Sequence, residues 1–265
     1  VYHQLRALSA KMQQPAKKKW KMPKFLLMKP RPNRRRMSLK GAIKSIRSKI
    51  ESAQKRGGFS HPVQLIAITK THPFSLIQEC YDAGTTSIGE NRIQEASKKF
   101  ESFDTMPDIS RRFIGHLQSN KVNKCLELFD TVDSVDSVKL LKKISNAALK
   151  RKRTVPVLLE INTSGELQKH GFSPNQIDEI TECFNLHSIN IEGLMTVGPL
   201  TADKKKIRDS FIQLRTLKSR INQAVNQSNM TELSMGMSGD YEIAVEEGST
   251  MVRLGTALFG VRNIF

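Results

Sequence analysis

The sequence predicts an α/β protein, a single (β/α)8 barrel of the TIM type with an N-terminal helix. Three observations carry that prediction. Strand-like and helix-like runs alternate along the chain, which implies parallel strands, because each helix must return the chain to the same edge of the sheet. The alternation runs through eight units, enough to close a barrel. The stretch after the first strand, KTHPFS, holds no glycine, whereas an open doubly wound sheet places a glycine-rich turn there.

The elements follow in order. From Leu39 to Gln54, apolar residues fall at Leu39, Ile43, Ile46, Ile50 and Ala53, one face of a helix that Gly57-Gly58 ends. Strand-like runs then occupy 63–69, 85–88, 111–114, 130–133, 155–162, 190–195, 231–235 and 250–254. The second, third and fourth are weak by composition and rest on their spacing. Helical patterns lie between the strands, at 74–83, 92–102, 119–128, 136–149, 174–185, 203–226 and 240–246. The chain stops just after the eighth unit, so no second domain is expected.

Composition narrows the function. The formal charge is +18, but residues 1–36 hold 12 Lys/Arg and no Asp or Glu, leaving 31 Lys/Arg against 25 Asp/Glu in the rest. The basic character therefore belongs mainly to the tail and does not argue for a folded body that binds nucleic acid. Residues 1–36 are expected to be a basic, disordered extension, with 37–265 as the barrel. Met37 offers a translation start, and a mitochondrial targeting role for the tail is the competing reading. Cys80, Cys125 and Cys183 are far apart with no Cys-x-x-Cys, which fits a reducing compartment such as the cytoplasm. No apolar run has the length of a membrane span. The six histidines show no metal spacing, so no metal is expected.

Candidate chemistry gathers at the strand ends, because a barrel of this kind places its site at their C-terminal mouth. LIAITKTHP, residues 65–73, ends its strand in Lys70. A strand-end lysine can simply reach for water, or it can be an amine held at the mouth of an apolar pocket, ready to condense with a carbonyl. The loops after the seventh and eighth strands read SMGMSGD and LGTALFG. Gly236, Gly239 and Gly255 let backbone N–H groups approach an anion, and Ser238 and Thr256 add hydroxyl donors. The eighth strand closes against the first, so a phosphate cup would stand beside Lys70. Pyridoxal 5'-phosphate (PLP), a phosphorylated aldehyde, suits both features, and a phosphosugar is the rival. Arg253 shares a strand face with Gly255. It either enters the lumen or makes an outer ion pair.

These segments, together with IGENRIQEA, FIGHLQSNK, VDSVDS, INTSGELQKHG and GLMTVGP, resemble the PLP homeostasis proteins, the YggS or PROSC family. The resemblance runs from about Met37 to Arg262 and leaves residues 1–36 uncovered. It implies a fold type III barrel similar to that of alanine racemase, with Lys70 holding PLP as a Schiff base. It further implies phosphate contacts at Ser238, Gly255 and Thr256, Arg253 facing the pyridine nitrogen, and Asn91, His116, Met195 and Met235 lining the pocket. Arg92 stands where the family commonly has an aromatic residue, and Phe74 lies near the place of a phosphate-reaching tyrosine in the racemases.

The implied role is control of the PLP supply to other enzymes, without established turnover and therefore without catalytic residues. PLP-dependent apoenzymes are the expected partners and a monomer the expected state. The alternative is an amino-acid racemase or decarboxylase. Racemisation needs an acid/base group on each face of the substrate carbon, and neither Tyr81 nor Tyr241 is expected to stand opposite Lys70.

Overall fold

A computed structural model describes residues 38–166, 168–225 and 229–260. The basic extension expected over residues 1–36 lies outside them. Eight parallel strands close in sequence order into a barrel. They are β1 (Gln64–Ile68), β2 (Ser87–Glu90), β3 (Ser110–Phe113), β4 (Thr131–Val135), β5 (Val155–Glu160), β6 (Ile189–Met195), β7 (Glu232–Met237) and β8 (Met251–Leu254). Between and around them lie α1 (Leu39–Gly57), α2 (Phe74–Asp82), α3 (Ile93–Lys99), α4 (Val122–Leu128) and α5 (Val138–Lys150). After these come α6 (Ile177–Glu182), α7 (Lys204–Ala224), α8 (Tyr241–Glu246) and α9 (Thr256–Phe259).

The predicted alternation is present, including the three strands of weak composition. Its boundaries differ where a polar residue is buried. The second strand, expected at 85–88, runs Ser87–Glu90. Glu90 completes it because its carboxylate accepts from Thr69 Oγ1 at 2.6 Å and pairs with Lys99. The helix expected at 92–102 stops at Lys99, where Phe100 turns extended. The pattern at 174–185 resolves into α6 and a short 3-10 turn at Cys183–Asn185.

Helix α1 begins at Ser38, whose side chain accepts from the Gly41 N–H, and ends at Gly58 with φ 75°, so the chain caps both ends with suitable residue types. Its buried face, Ile43, Ile46, Ile50 and Ala53, joins Leu65, Ala67, Val252 and Leu254 in one outer core. The helix thereby covers the seam where β8 meets β1. A larger outer core lies beneath α4, α5 and α7. Ile66, Ile68, Leu158, Met195 and Met251 form a separate cluster inside the barrel. Period two along each strand separates the two sets: on β1, Ile66 and Ile68 face inward while Leu65 and Ala67 face outward.

Candidate functional site

Lys70 continues the inward parity of β1, two residues beyond Ile68, and is half-buried. The turn that carries it is held from three sides. Lys99 Nζ donates to the Thr69 carbonyl at 2.9 Å, Thr69 Oγ1 donates to Glu90, and the Thr71 N–H donates to Glu95. Thr71 has φ 67°, a left-handed conformation that is strained for a β-branched residue. The ties to Glu95 and Lys99 are what hold the chain in it. Burial is the main influence on the Glu90 carboxyl and pushes its pKa up, while Lys99 and Thr69 pull it down.

Arg253 faces the lumen, which settles the choice left open by the sequence. It is 4% exposed. Its Nη1 donates to the Ser234 carbonyl and Oγ, both at 2.8 Å, and Nη2 donates to the Thr196 carbonyl at 2.7 Å. These acceptors are neutral, and the guanidinium has five donors, so capacity remains for a lumen ligand. Burial is the dominant influence and lowers its pKa, opposed at longer range by Asp133, Glu160 and Asp240. Thr196 is itself fixed, with its Oγ1 donating to the Ile161 carbonyl at 2.8 Å.

The two glycine-bearing loops meet beside β1. In the barrel register Ala67 pairs with Leu254, and Gly255 lies against Ile68, where an added Cβ would find the Ile68 carbonyl oxygen at 3.6 Å. Ser238 Oγ accepts from the Ala257 N–H at 3.0 Å and so clasps the β7–α8 loop to the start of α9. Gly236 has φ 95°, and an added Cβ would come within 2.6 Å of Ala244, so only glycine fits this bend. Among the described residues, the N–H groups of Ser238, Gly239 and Thr256 have no protein acceptor. Unpaired N–H groups and hydroxyls on adjoining loops are the donor types that a phosphate-sized anion takes.

The other expected site residues divide. Met195 lies in the lumen cluster. Asn91 is half-buried after β2, and its backbone presses against the end of β3, where a Cβ on Gly115 would come 2.2 Å from the Asn91 carbonyl oxygen. His116 stands at the mouth, hydrogen-bonded through Nδ1 to Asp136 Oδ2 at 3.0 Å. Met235 does not join them. Its side chain is buried in the outer core with Leu233 and Ala244, because β7 turns Ser234 inward and residues 233 and 235 outward.

Sequence reasoning missed the charged lumen. Arg112 Nη1 donates to Asp133 Oδ1 and Oδ2 at 2.9 and 3.0 Å. Glu160, at the end of β5, is pushed up in pKa first by burial and then by Asp136, while Arg253 and His170 pull it down. Charged residues inside short strands, such as Asp133 in TVDSV and Arg253 in MVRL, were the available signal. Tyr81 and Tyr241 both pack in the outer core, away from the lumen.

A model of the alanine racemase N-terminal domain matches residues 42–263. The PLP homeostasis protein of Vibrio alginolyticus is 38% identical over 231 residues, covering 85% of this chain and 98% of its own. The chain belongs to the PLP homeostasis protein family. The family member of Homo sapiens is 36% identical over 237 residues, covering 84% and 86% of the two chains. Among solved structures, PipY of Synechococcus elongatus with PLP bound is 36% identical, with a TM-score of 0.74 over 84% of this chain and 100% of that one. An alanine racemase of Clostridium difficile shares the fold at 16% identity and a TM-score of 0.67, aligned over 57% of its length.

Proposed function

We propose that the barrel mouth binds PLP, with Lys70 as the amine that condenses with its aldehyde, and that the chain serves PLP homeostasis rather than amino-acid turnover. One observation carries this reading. Arg253, a buried cation held by neutral acceptors, lies two residues before Gly255, and Gly255 rests against Ile68, two residues before Lys70. An amine, an anion receptor and a ring-facing donor thus share one strand seam. The residues present fit the group on two counts: the unpaired N–H groups of Ser238, Gly239 and Thr256, and the spare donor capacity of Arg253. When bound, PLP supplies an electrophilic aldehyde and an electron-withdrawing ring.

Ser238, Gly239 and Thr256 would hold the phosphate, and Arg253 would donate to the ring nitrogen. A permanent cation there disfavours protonation of that nitrogen, which weakens the ring as an electron sink. With both body tyrosines in the outer core, neither supplies an acid/base partner opposite Lys70. The reading includes delivery of PLP to apoenzymes, a monomeric state, and a basic extension over 1–36 preceding a barrel over 37–265. Among the described residues, no helix is long and apolar enough to cross a membrane.

The test begins with the near-visible absorbance of the PLP-loaded protein. Borohydride reduction and peptide mapping should place the pyridoxyl group on Lys70, and Lys70→Ala should lose it. Mapping to Lys99 or Lys121 would overturn the assignment. Incubation with L-amino acids in deuterated water should give slow α-proton exchange. Many Lys70-dependent turnovers per minute would favour an enzyme instead.

A further inference from the structure

The side chains of His116, Asp136 and His170 come together at the barrel mouth, outside the seam that joins Lys70 to Arg253. His116 follows β3, Asp136 follows β4, and His170 belongs to the loop after β5. Their spacings of 20 and 34 residues match no metal motif, which is why the sequence gives no sign of the group. Each offers one ligand atom, and these atoms all lie within 4.8 Å of one another. Asp136 Oδ2 lies 3.0 Å from His116 Nδ1 and 4.0 Å from His170 Nδ1. The two imidazoles are stacked, with centroids 3.9 Å apart and planes 13° from parallel.

The arrangement has the parts of a three-ligand site. Asp136 is oriented from behind, since Ser137 Oγ donates to its Oδ1 at 3.0 Å, and such outer hydrogen bonds fix metal-binding carboxylates. The Asp136 side chain is only 13% exposed, while His116 and His170 are 45% and 56% exposed, which leaves an entry path from solvent. The N2O donor set suits zinc or a neighbouring late transition ion, not the oxygen-seeking magnesium or calcium. Tetrahedral zinc with bonds of about 2.0–2.1 Å needs ligand atoms ~3.3 Å apart. The His116–Asp136 pair is close to this. His170, whose Nδ1 lies 4.0 Å from Asp136 Oδ2, must move inward, and one of the two stacked rings must turn on its exposed side chain, because a bound metal lies in the plane of each imidazole that holds it.

We propose that His116, Asp136 and His170 bind one divalent transition-metal ion at the barrel mouth, leaving a coordination position open to water or a small ligand. The inference does not depend on PLP binding. Nor do the cysteines compete, since Cys80, Cys125 and Cys183 are all buried.

The experiment uses the full chain, PLP-free and PLP-loaded, stripped with chelator and titrated with Zn2+ in phosphate-free buffer. Calorimetry and elemental analysis give affinity and stoichiometry, and Co2+ absorbance reports the geometry. One ion per chain is expected in both forms, with a tetrahedral-type Co2+ spectrum. His116→Ala, Asp136→Asn and His170→Ala should each weaken binding by at least about tenfold, the lower end seen when even an outer-shell partner of a metal ligand is lost. His61→Ala and His3→Ala should leave it unchanged. His170→Ala alters an exposed loop residue, so retained circular dichroism makes its result decisive even if Asp136→Asn disturbs the fold. Absence of stoichiometric Zn2+ binding, or binding indifferent to His116 and His170, would overturn the proposal.

Discussion

Ser238 has two tasks at one atom. Its Oγ accepts from the Ala257 N–H at 3.0 Å, and its hydroxyl proton stays available for an anion. Thr256, exposed at the start of α9, adds a second hydroxyl. A charge-assisted hydrogen bond contributes about 1.5–3 kcal/mol. Ser238→Ala combined with Thr256→Val should therefore weaken PLP binding by far more than it weakens pyridoxal binding, which equilibrium titration of both ligands would measure. Equal losses would place the phosphate elsewhere. At this scale the sequence was legible wherever strand periodicity aimed a residue. Lys70 lies past the end of β1, two residues beyond inward Ile68, whereas for Arg253 periodicity gave the shared face with Gly255 and only the structure turned that face inward. Met235 was misplaced because resemblance, not parity, assigned it. The grouping of His116, Asp136 and His170 was hidden, since only the side-by-side pairing of β3, β4 and β5 brings their three loops together.

The elements were legible in kind and order, because alternation and length identify strands without exact ends. Their boundaries depend on tertiary partners that no local pattern contains, as Glu90 shows. The same residue gives the element-scale prediction. Lys99, on α3, ties the end of β2 to the end of β1 through Glu90 and the Thr69 carbonyl, with side chains only 8% and 0% exposed. Removing one partner of a buried pair costs about 3–5 kcal/mol, whereas replacing both with apolar residues is often close to neutral. Lys99→Met should lower unfolding stability by about that amount. Adding Glu90→Leu should restore most of it, and denaturant titration of the two variants would measure the difference. Because the Lys99 amine also holds the Thr69 carbonyl, the double variant should still bind PLP less tightly than the native chain. Full recovery of affinity would mean that the Lys70 turn needs no support from α3.

The whole barrel encloses charge. Arg112 and Asp133 pair within it, Arg253 lies higher, and Glu160 closes the end of β5. An apolar lumen would pack at lower cost, so these groups mark where stability yields to ligand binding. Glu160 makes this measurable. Burial first, then the like charge of Asp136, raise its pKa, against the pull of Arg253 and His170. A raised carboxyl favours the folded state when protonated. That contribution is fully present below the unfolded value of about 4.3, and it is lost as pH rises through the folded pKa. Glu160→Gln keeps the shape and removes the titration. In the PLP-free protein, the variant should melt above wild type near neutral pH, and the gap should shrink as pH falls toward about 4.3. Comparison at matched pH cancels Asp240 and Glu192, whose pKa values are also raised by burial. If Glu160→Gln instead melts below wild type, increasingly so as pH rises, then Arg253 and His170 stabilise the ionised carboxylate more than burial opposes it. The lumen charge would then be a structural asset and not a cost kept for the ligand.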